Sequence, residues 1–436
     1  MPPRLRTSVG PRYEGIASAP TGRRSVLLAA ASLGLSFALP ALPARAARRR
    51  GVERPRSLLV VWLAGGPSQL ETFDPHPGAA AGGPTQDIST VIPGVRIAAD
   101  YPRLAEVLDR FALVRSLVSK EGDHERGQYA VKTGYRPDPT AIHPALGAIA
   151  AHELPATGLE LPRFIALGEA EVPSRGGYLG NELDPYRVFA PGQKGQNLEP
   201  HVQADRQARR LGALDSLTRS FETGRGEAVR RTFHEHTLRE ALTLMTSEQL
   251  AAFDLDGESE SVKGLYGDSD FGRGCLVARR LIEAGVRSVE ITLPGFDTHA
   301  RNFAGHTSQA KLLDPALAAL VGDLEDRDLL DSTVVLVMGE FGRTPSINPL
   351  DGRDHWPHGF SCLLGGAGIA AGQVIGSTDP EGVAKQPADP VEIHDLSATV
   401  LAALGIDFAR EVATLVGRPM KLSAGTPLAK LLRGEA

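Results

Sequence analysis

The segment "DTHARNFAGH", Asp297 to His306, sets one carboxylate and two imidazoles within ten residues, directly after the apolar run "VRSVEITL". Carboxylates and neutral imidazoles together form the ligand set that suits zinc, manganese or a similar divalent ion. Related chemistry follows other apolar runs. "SLLVVWLAGG" leads into "PSQLETFDPHP" with Asp74 and His76, and "STVVLVM" leads into "GEFGRTP" with Glu340 and Arg343. The next loop, "GRDHWPHG", carries Asp354, His355 and His358. One such loop reads equally well as solvated surface. Only convergence of several on one volume makes a metal centre, so the argument turns on the elements that position them.

Those elements alternate. "SLLVVWL" is a continuous apolar run suited to a strand buried on both faces. Strand patterns recur in "RFIAL", "RSVEITL", "STVVLVMGEFG" and "FSCLLGG", and helical spacing in "YPRLAEVLDRFALVRSL" ahead of a short strand, "AIHPALGAIAAHEL", "FGRGCLVARRLIEAG", "LLDPALAALVGDLEDR" and "DLSATVLAALGI". Strands alternating with helices predict a largely parallel sheet covered on both faces, whose sites collect beyond the carboxyl ends of the strands. Residues 203–256 are charged and helical without strand signal, which predicts a helical insertion. Its charge run is most simply a solvated face. No internal repeat is evident.

The bulk properties narrow the partners. A chain of 436 residues with 42% hydrophobic and 23% charged content can bury a sizeable core. Its formal net charge of -5 offers no basic face to phosphate backbones, which excludes nucleic acid as an expected partner. "AGGPS" lacks the Lys-Ser/Thr ending of a phosphate-binding P-loop. The two cysteines, Cys275 and Cys362, sit among apolar neighbours and read as buried free thiols.

The amino terminus reads as an address. Arg23 and Arg24 precede an uncharged apolar run from Val26 to Leu39, and Ala44-Arg45-Ala46 has the small-residue pattern of a cleavage site. The run is shorter than the roughly 20 residues a bilayer span needs and is followed by Pro40 and Pro43. Residues 1–46 are thus expected to be a twin-arginine signal peptide engaging the twin-arginine export machinery, and 47–56 a linker. Removal of the signal leaves no stable membrane span and a periplasmic or extracellular protein. A folded domain over 57–424 and a C-terminal tail over 425–436 complete the expected organisation.

Taken together, "LAGGPSQLETFDPHP", "DHERGQYAVKTGYRP", "DTHARN", "GEFGRTP" and "GRDHWPHGFSCLLGGAGI" resemble the signature segments of the domain of unknown function family 1501. These are exported bacterial proteins grouped with the alkaline phosphatase and sulfatase superfamily. The resemblance implies an alkaline-phosphatase-like α/β/α sandwich. Sulfatases carry a nucleophile nine residues before a Thr-Gly pair, and Thr133-Gly134 puts His124 there, neither a hydroxyl nor a thiol. The superfamily Asp after the first strand is replaced by Ala64-Gly65-Gly66, with Asp74 the nearest acid to substitute. Its later Asp-His pair appears as Glu340-Phe341, while His299 and His355 resemble superfamily ligands.

Two expectations follow. In the first, the protein is a metal-dependent hydrolase of a phosphate or sulfate ester or related anionic substrate, small molecule or glycan. Asp297, His299, Glu340 and His355 hold one zinc or manganese ion, and His306, His358 and Asp74 serve as further ligands or their supports. His124 acts as base or acid, and Arg126 or Arg343 clamps an anionic oxygen pair through its planar fork. In the second, an exported binding or assembly protein keeps the fold without the chemistry. The absent nucleophile and the missing first-strand Asp favour it, and the concentration of ionisable groups at the strand ends opposes it.

Overall fold

The strand runs become a single twisted sheet because nearly every residue in them is apolar and both faces are covered. The computed structural model describes residues 56–192, 202–223, 225, 234–414 and 417–433, all within one compact unit of the chain. The segment expected to be an export signal, residues 1–46, lies outside the described residues, as does most of the linker. Among the described residues no helix is long and apolar enough to cross a membrane.

The sheet has nine strands. In chain order they are β1 (Ser57–Leu63), β2 (Phe111–Val118), β3 (Phe164–Leu167), β4 (Tyr186–Val188), β5 (Ser288–Leu293), β6 (Thr333–Met338), β7 (Phe360–Gly366), β8 (Val374–Ile375) and β9 (Val391–Glu392). Their spatial order is β8-β2-β7-β6-β1-β5-β3-β4, with β9 also pairing β2. Strand β1 is parallel to β5 on one side and to β6 on the other. Strand β7 runs antiparallel to both its neighbours, β6 and β2.

The side-chain period of two sorts β1 between two cores. Leu59, Val61 and Leu63 face a core shared with α1 (Pro102–Val107), α6 (Asp270–Ala284) and α7 (Asn302–Asp326). Leu58, Val60 and Trp62 face a second core shared with α2 (His124–Thr133), α3 (Leu146–Glu153) and α8 (Ile393–Ala403). Full burial of each such side chain is worth about 1.5–3 kcal/mol, so the central strand fixes the register of its neighbours. The result is an α/β/α sandwich with a largely parallel sheet. Cys275 and Cys362 are both free and buried on opposite faces of that sheet, so they cannot pair.

Residues 203–256 contain α4 (Ala204–Glu222), α5 (His234–Thr246) and a 3-10 turn at Glu248–Phe253. Just beyond them, Glu258 pairs at 2.7 Å with Arg279 of α6, which also meets Asp323 of α7 at 2.9 Å. This ion-pair network fastens the end of the insertion to two core helices. Folded structure continues past residue 424: Leu431 is fully buried and Leu432 bridges Ile369.

Helix α7 departs from the expected boundary. The spacing of "LLDPALAALVGDLEDR" predicts a helix from Leu312, but it starts at Asn302 and runs 25 residues, so His306 lies on its first turns and not on a loop. Registers Leu63↔Leu293 and Trp62↔Met338 bring the ends of β1, β5 and β6 level, which gathers three of the chemistry-bearing loops on one edge.

Candidate metal centre

The loops after β1, β5 and β6 meet because each leaves the sheet through a small or tightly bonded turn. Gly65, after β1, has φ of +110°, and a Cβ there would lie 2.4 Å from the Asp297 backbone nitrogen. A side chain at that position would drive the first two loops apart. After β6, Glu340 turns inward, fully buried, and its Oε1 accepts from the Gly65 backbone N–H at 3.0 Å. The short antiparallel ribbon Gly342–Arg343 with His355–Trp356 then returns His355 to the same edge.

Helix α2 supplies the remaining imidazole. Asp123 caps it by accepting from the Arg126 backbone N–H, and His124 is its first helical residue. His124 Nδ1 lies 2.8 Å from Glu340 Oε1. Its Nε2 faces Asp297 Oδ2 at 3.4 Å and, although buried, has no hydrogen-bond partner.

Asp297 is the hub. Its Oδ1 lies 3.1 Å from His299 Nε2, 3.4 Å from His355 Nε2 and 2.6 Å from Arg343 Nη2. His124, Asp297 and His355 each offer a ligand atom within 4.8 Å of the others. His299 Nε2 approaches His355 Nε2 at 3.0 Å.

The outer nitrogens explain the inner ones. His124 Nδ1 faces Glu340, His299 Nδ1 faces Asp354 Oδ1 at 2.8 Å, and His355 Nδ1 faces the Gly122 carbonyl at 2.8 Å. Ionised carboxylates and carbonyls only accept, so the Nδ1 of His124 and of His355 carries the hydrogen and the Nε2 of each neutral ring turns a lone pair inward. The lone pairs of His124 and His355 and the Asp297 carboxylate then converge, with His299 beside them, the donor types of a borderline-soft divalent ion whose ligands are held from behind. The orphaned Nε2 of His124 fits the same reading.

Charges across the cluster oppose one another. The hydrogen bond to Glu340, with the charges of Glu340, Asp297 and Glu171, lifts His124 above its ordinary pKa against burial. Burial and the positive charges of Arg343 and His124 pull His355 down, outweighing the Gly122 carbonyl and Asp297. Burial alone would raise Asp297, but the Arg343 hydrogen bond and charge, with His124 and His299, leave its carboxyl below the usual range.

Several expected site residues are placed elsewhere or in other roles. Asp74 is fully buried and accepts from the backbone N–H and hydroxyl of Thr378 at 2.7 Å, with Arg115 at 3.3 Å, so it does not join the cluster. His306 has both nitrogens committed: Nε2 accepts from the Ser68 N–H at 2.9 Å, and Nδ1 donates to the Asn302 carbonyl at 3.0 Å. It shapes the loop after β1 and has no lone pair to give a metal, and burial pushes its pKa down. His358 is exposed, edge-on to Trp356. Arg126 is engaged by Glu121 at 2.7 Å. The fully buried Arg343 spends its fork on the carbonyls of Gly65, Gly66 and Arg353 and on Asp297, leaving no open face for a substrate anion.

His124, expected as an acid or base, offers a donor atom in the group of three, while Glu340, expected as a ligand, bonds to the back of His124. Asp354 had no role in the sequence reading. Its position immediately before His355 was the available signal, but nothing in the sequence shows that it turns to His299.

The family profile described as "Protein of unknown function (DUF1501)" matches residues 55–432. The chain belongs to the DUF1501 family. Among solved structures it is similar to the lipoteichoic acid synthase LtaP from Listeria monocytogenes, at 10% identity and a TM-score of 0.40, over 87% of this chain and 76% of that one. It is also similar to a protein in the alkaline phosphatase superfamily from Vibrio parahaemolyticus, at 12% identity and 0.38, covering 81% and 67%. A third, BT1596, a 2-O GAG sulfatase, shares 12% identity at 0.36, covering 86% and 74%. A search of curated proteins finds no match. The donor assignment rests on this chain's own side chains.

Proposed function

We propose that this DUF1501 protein is an exported, metal-dependent hydrolase of phosphate or sulfate esters or a related anionic substrate. The observation that carries the reading is the convergence of the His124, His299 and His355 Nε2 atoms on Asp297 with every Nδ1 bonded from behind. These four residues would hold one ion, zinc or manganese. When bound, such an ion stabilises charge on a transferring group and lowers the pKa of nearby water.

The chain's own groups set the rest. Arg343 keeps Asp297 ionised and aimed inward, and Glu340 holds the hydrogen of His124 on Nδ1. With an imidazole where a hydroxyl nucleophile would stand, direct attack by water is the simpler route than a covalent intermediate. One observation favours a second reading, a binding or assembly protein that kept the fold. Of the two candidate anion clamps, the buried Arg343 is consumed by internal partners and the exposed Arg126 is paired with Glu121.

The test is to load mature protein with zinc or manganese and assay aryl phosphate monoesters, diesters and sulfate esters beside a His355→Ala variant. Metal-dependent turnover that the variant loses supports the hydrolase. Stoichiometric metal without turnover of any ester supports the binding protein, and absence of metal uptake defeats the centre itself.

A further inference from the structure

His299 stands outside the tight group of three, and whether it joins depends on where one hydrogen sits. Its Nδ1 lies 2.8 Å from Asp354 Oδ1, and its Nε2 lies 3.0 Å from His355 Nε2 and 3.1 Å from Asp297 Oδ1. If the hydrogen were on Nε2, the Nδ1 lone pair would point at a carboxylate at hydrogen-bonding distance, which is repulsive. With it on Nδ1, two imidazole lone pairs and a carboxylate oxygen face one another, which is repulsive unless a cation lies among them. A cation among them turns the second arrangement to favourable use, and His355 already has its own hydrogen committed to the Gly122 carbonyl.

The loop is built to present that carboxylate. The Asn348 amide donates to the His299 carbonyl at 2.9 Å and reaches Asp354 Oδ1 at 3.5 Å, and its oxygen accepts from the Leu350 and Gly352 backbone N–H groups. The Asp354 backbone N–H donates to the Thr344 hydroxyl, and the Thr344 N–H to the Asp354 carbonyl at 2.9 Å. The segment carrying Asp354 is therefore tied to the strand end carrying His299 by bonds that do not involve the Asp354 side chain.

We propose that Asp354 is a positioning residue that fixes His299 as its Nδ1–H tautomer and so enlarges a three-donor group into a four-donor metal centre. This rests on the reading of the cluster as a metal centre. Partners behind a ligating imidazole are worth about 10- to 100-fold in metal affinity. The side chain of Asp354 is 59% exposed, so its truncation removes little packing.

The experiment uses mature full-length protein with nitrogen-15 histidine, comparing wild type, Asp354→Ala and Asp354→Asn. Long-range proton–nitrogen spectra of the metal-free protein read the His299 tautomer, assigned with a His299→Gln variant, and chelator competition reads zinc affinity. The expected result is Nδ1–H His299 in wild type and in Asp354→Asn, whose amide oxygen still accepts. Asp354→Ala should gain Nε2–H and bind zinc about 10- to 100-fold more weakly. An unchanged tautomer in Asp354→Ala overturns the proposal, whether or not affinity falls. If wild type takes up no zinc, the metal reading fails on its own, while the tautomer spectra still decide the role of Asp354.

Discussion

Arg343→Lys isolates what the buried guanidinium does. The native side chain is fully buried and donates from Nε to the Gly66 carbonyl at 2.9 Å, from Nη1 to the Arg353 carbonyl at 3.1 Å, and from Nη2 to Asp297 at 2.6 Å and to the Gly65 carbonyl. Lysine keeps the positive charge but offers its three hydrogens from one atom, so it cannot span acceptors arranged around a planar fork. Retaining the Asp297 contact and one carbonyl leaves two carbonyls unpaired, each costing about 1–1.5 kcal/mol. The sum is a loss of about 2–3 kcal/mol, with the Asp297 bond itself discounted because that carboxylate is nearly half exposed. Urea unfolding followed by tryptophan fluorescence measures the loss, and chelator competition should show weaker zinc binding as Asp297 gains freedom to turn. A variant within about 0.5 kcal/mol of wild type, the ordinary scatter of surface substitutions, with unchanged zinc affinity, would refute the view of Arg343 as the bracket of the site.

Other perturbations separate site from scaffold. Gly352→Ala sets a methyl 1.9 Å from the His299 carbonyl oxygen, so it should weaken zinc binding more than it lowers the unfolding midpoint, and equal affinity would contradict the placement of that loop. Asp74→Asn should cost about 3 kcal/mol by leaving Arg115 without its buried partner, yet leave zinc affinity unchanged. Glu121 sits below the usual carboxylate range, first because of the Arg126 hydrogen bond and then Arg136. A depressed acid stabilises the fold above its unfolded pKa of about 4.3 and loses that contribution as pH falls through the folded value. Wild type should therefore exceed Glu121→Gln by up to about 1 kcal/mol at neutral pH, given the exposed arginines, with the gap closing as the pH falls below the unfolded value.

The scaffold was legible because its signals are local. "SLLVVWL" is buried along its whole length and reads as a two-faced strand from composition alone, and "TVVLVM" within the later apolar run is buried likewise. The convergence of the Asp297, Glu340 and His355 loops followed from the rule for parallel sheets. Roles within the site were less legible, because they depend on which nitrogen faces which partner. His306 looked as ligand-like as His299, but one helical turn committed it to Asn302 and Ser68. Arg343 looked like an anion clamp because a sequence shows donors and not the carbonyls that consume them. Asp74 sits eleven residues beyond the end of β1 in the chain, far enough for the intervening turn to carry it to Thr378 and not to the strand end.

The most direct test of the central claim is the metal content of the purified protein, set beside a His299→Ala, His355→Ala double variant. Wild type should carry about one equivalent of zinc or manganese per chain, the capacity of one four-donor centre, and a variant that stays folded should carry little. A wild type with no bound metal after incubation with excess zinc and manganese, or a folded variant that binds as much as the wild type, would contradict the claim.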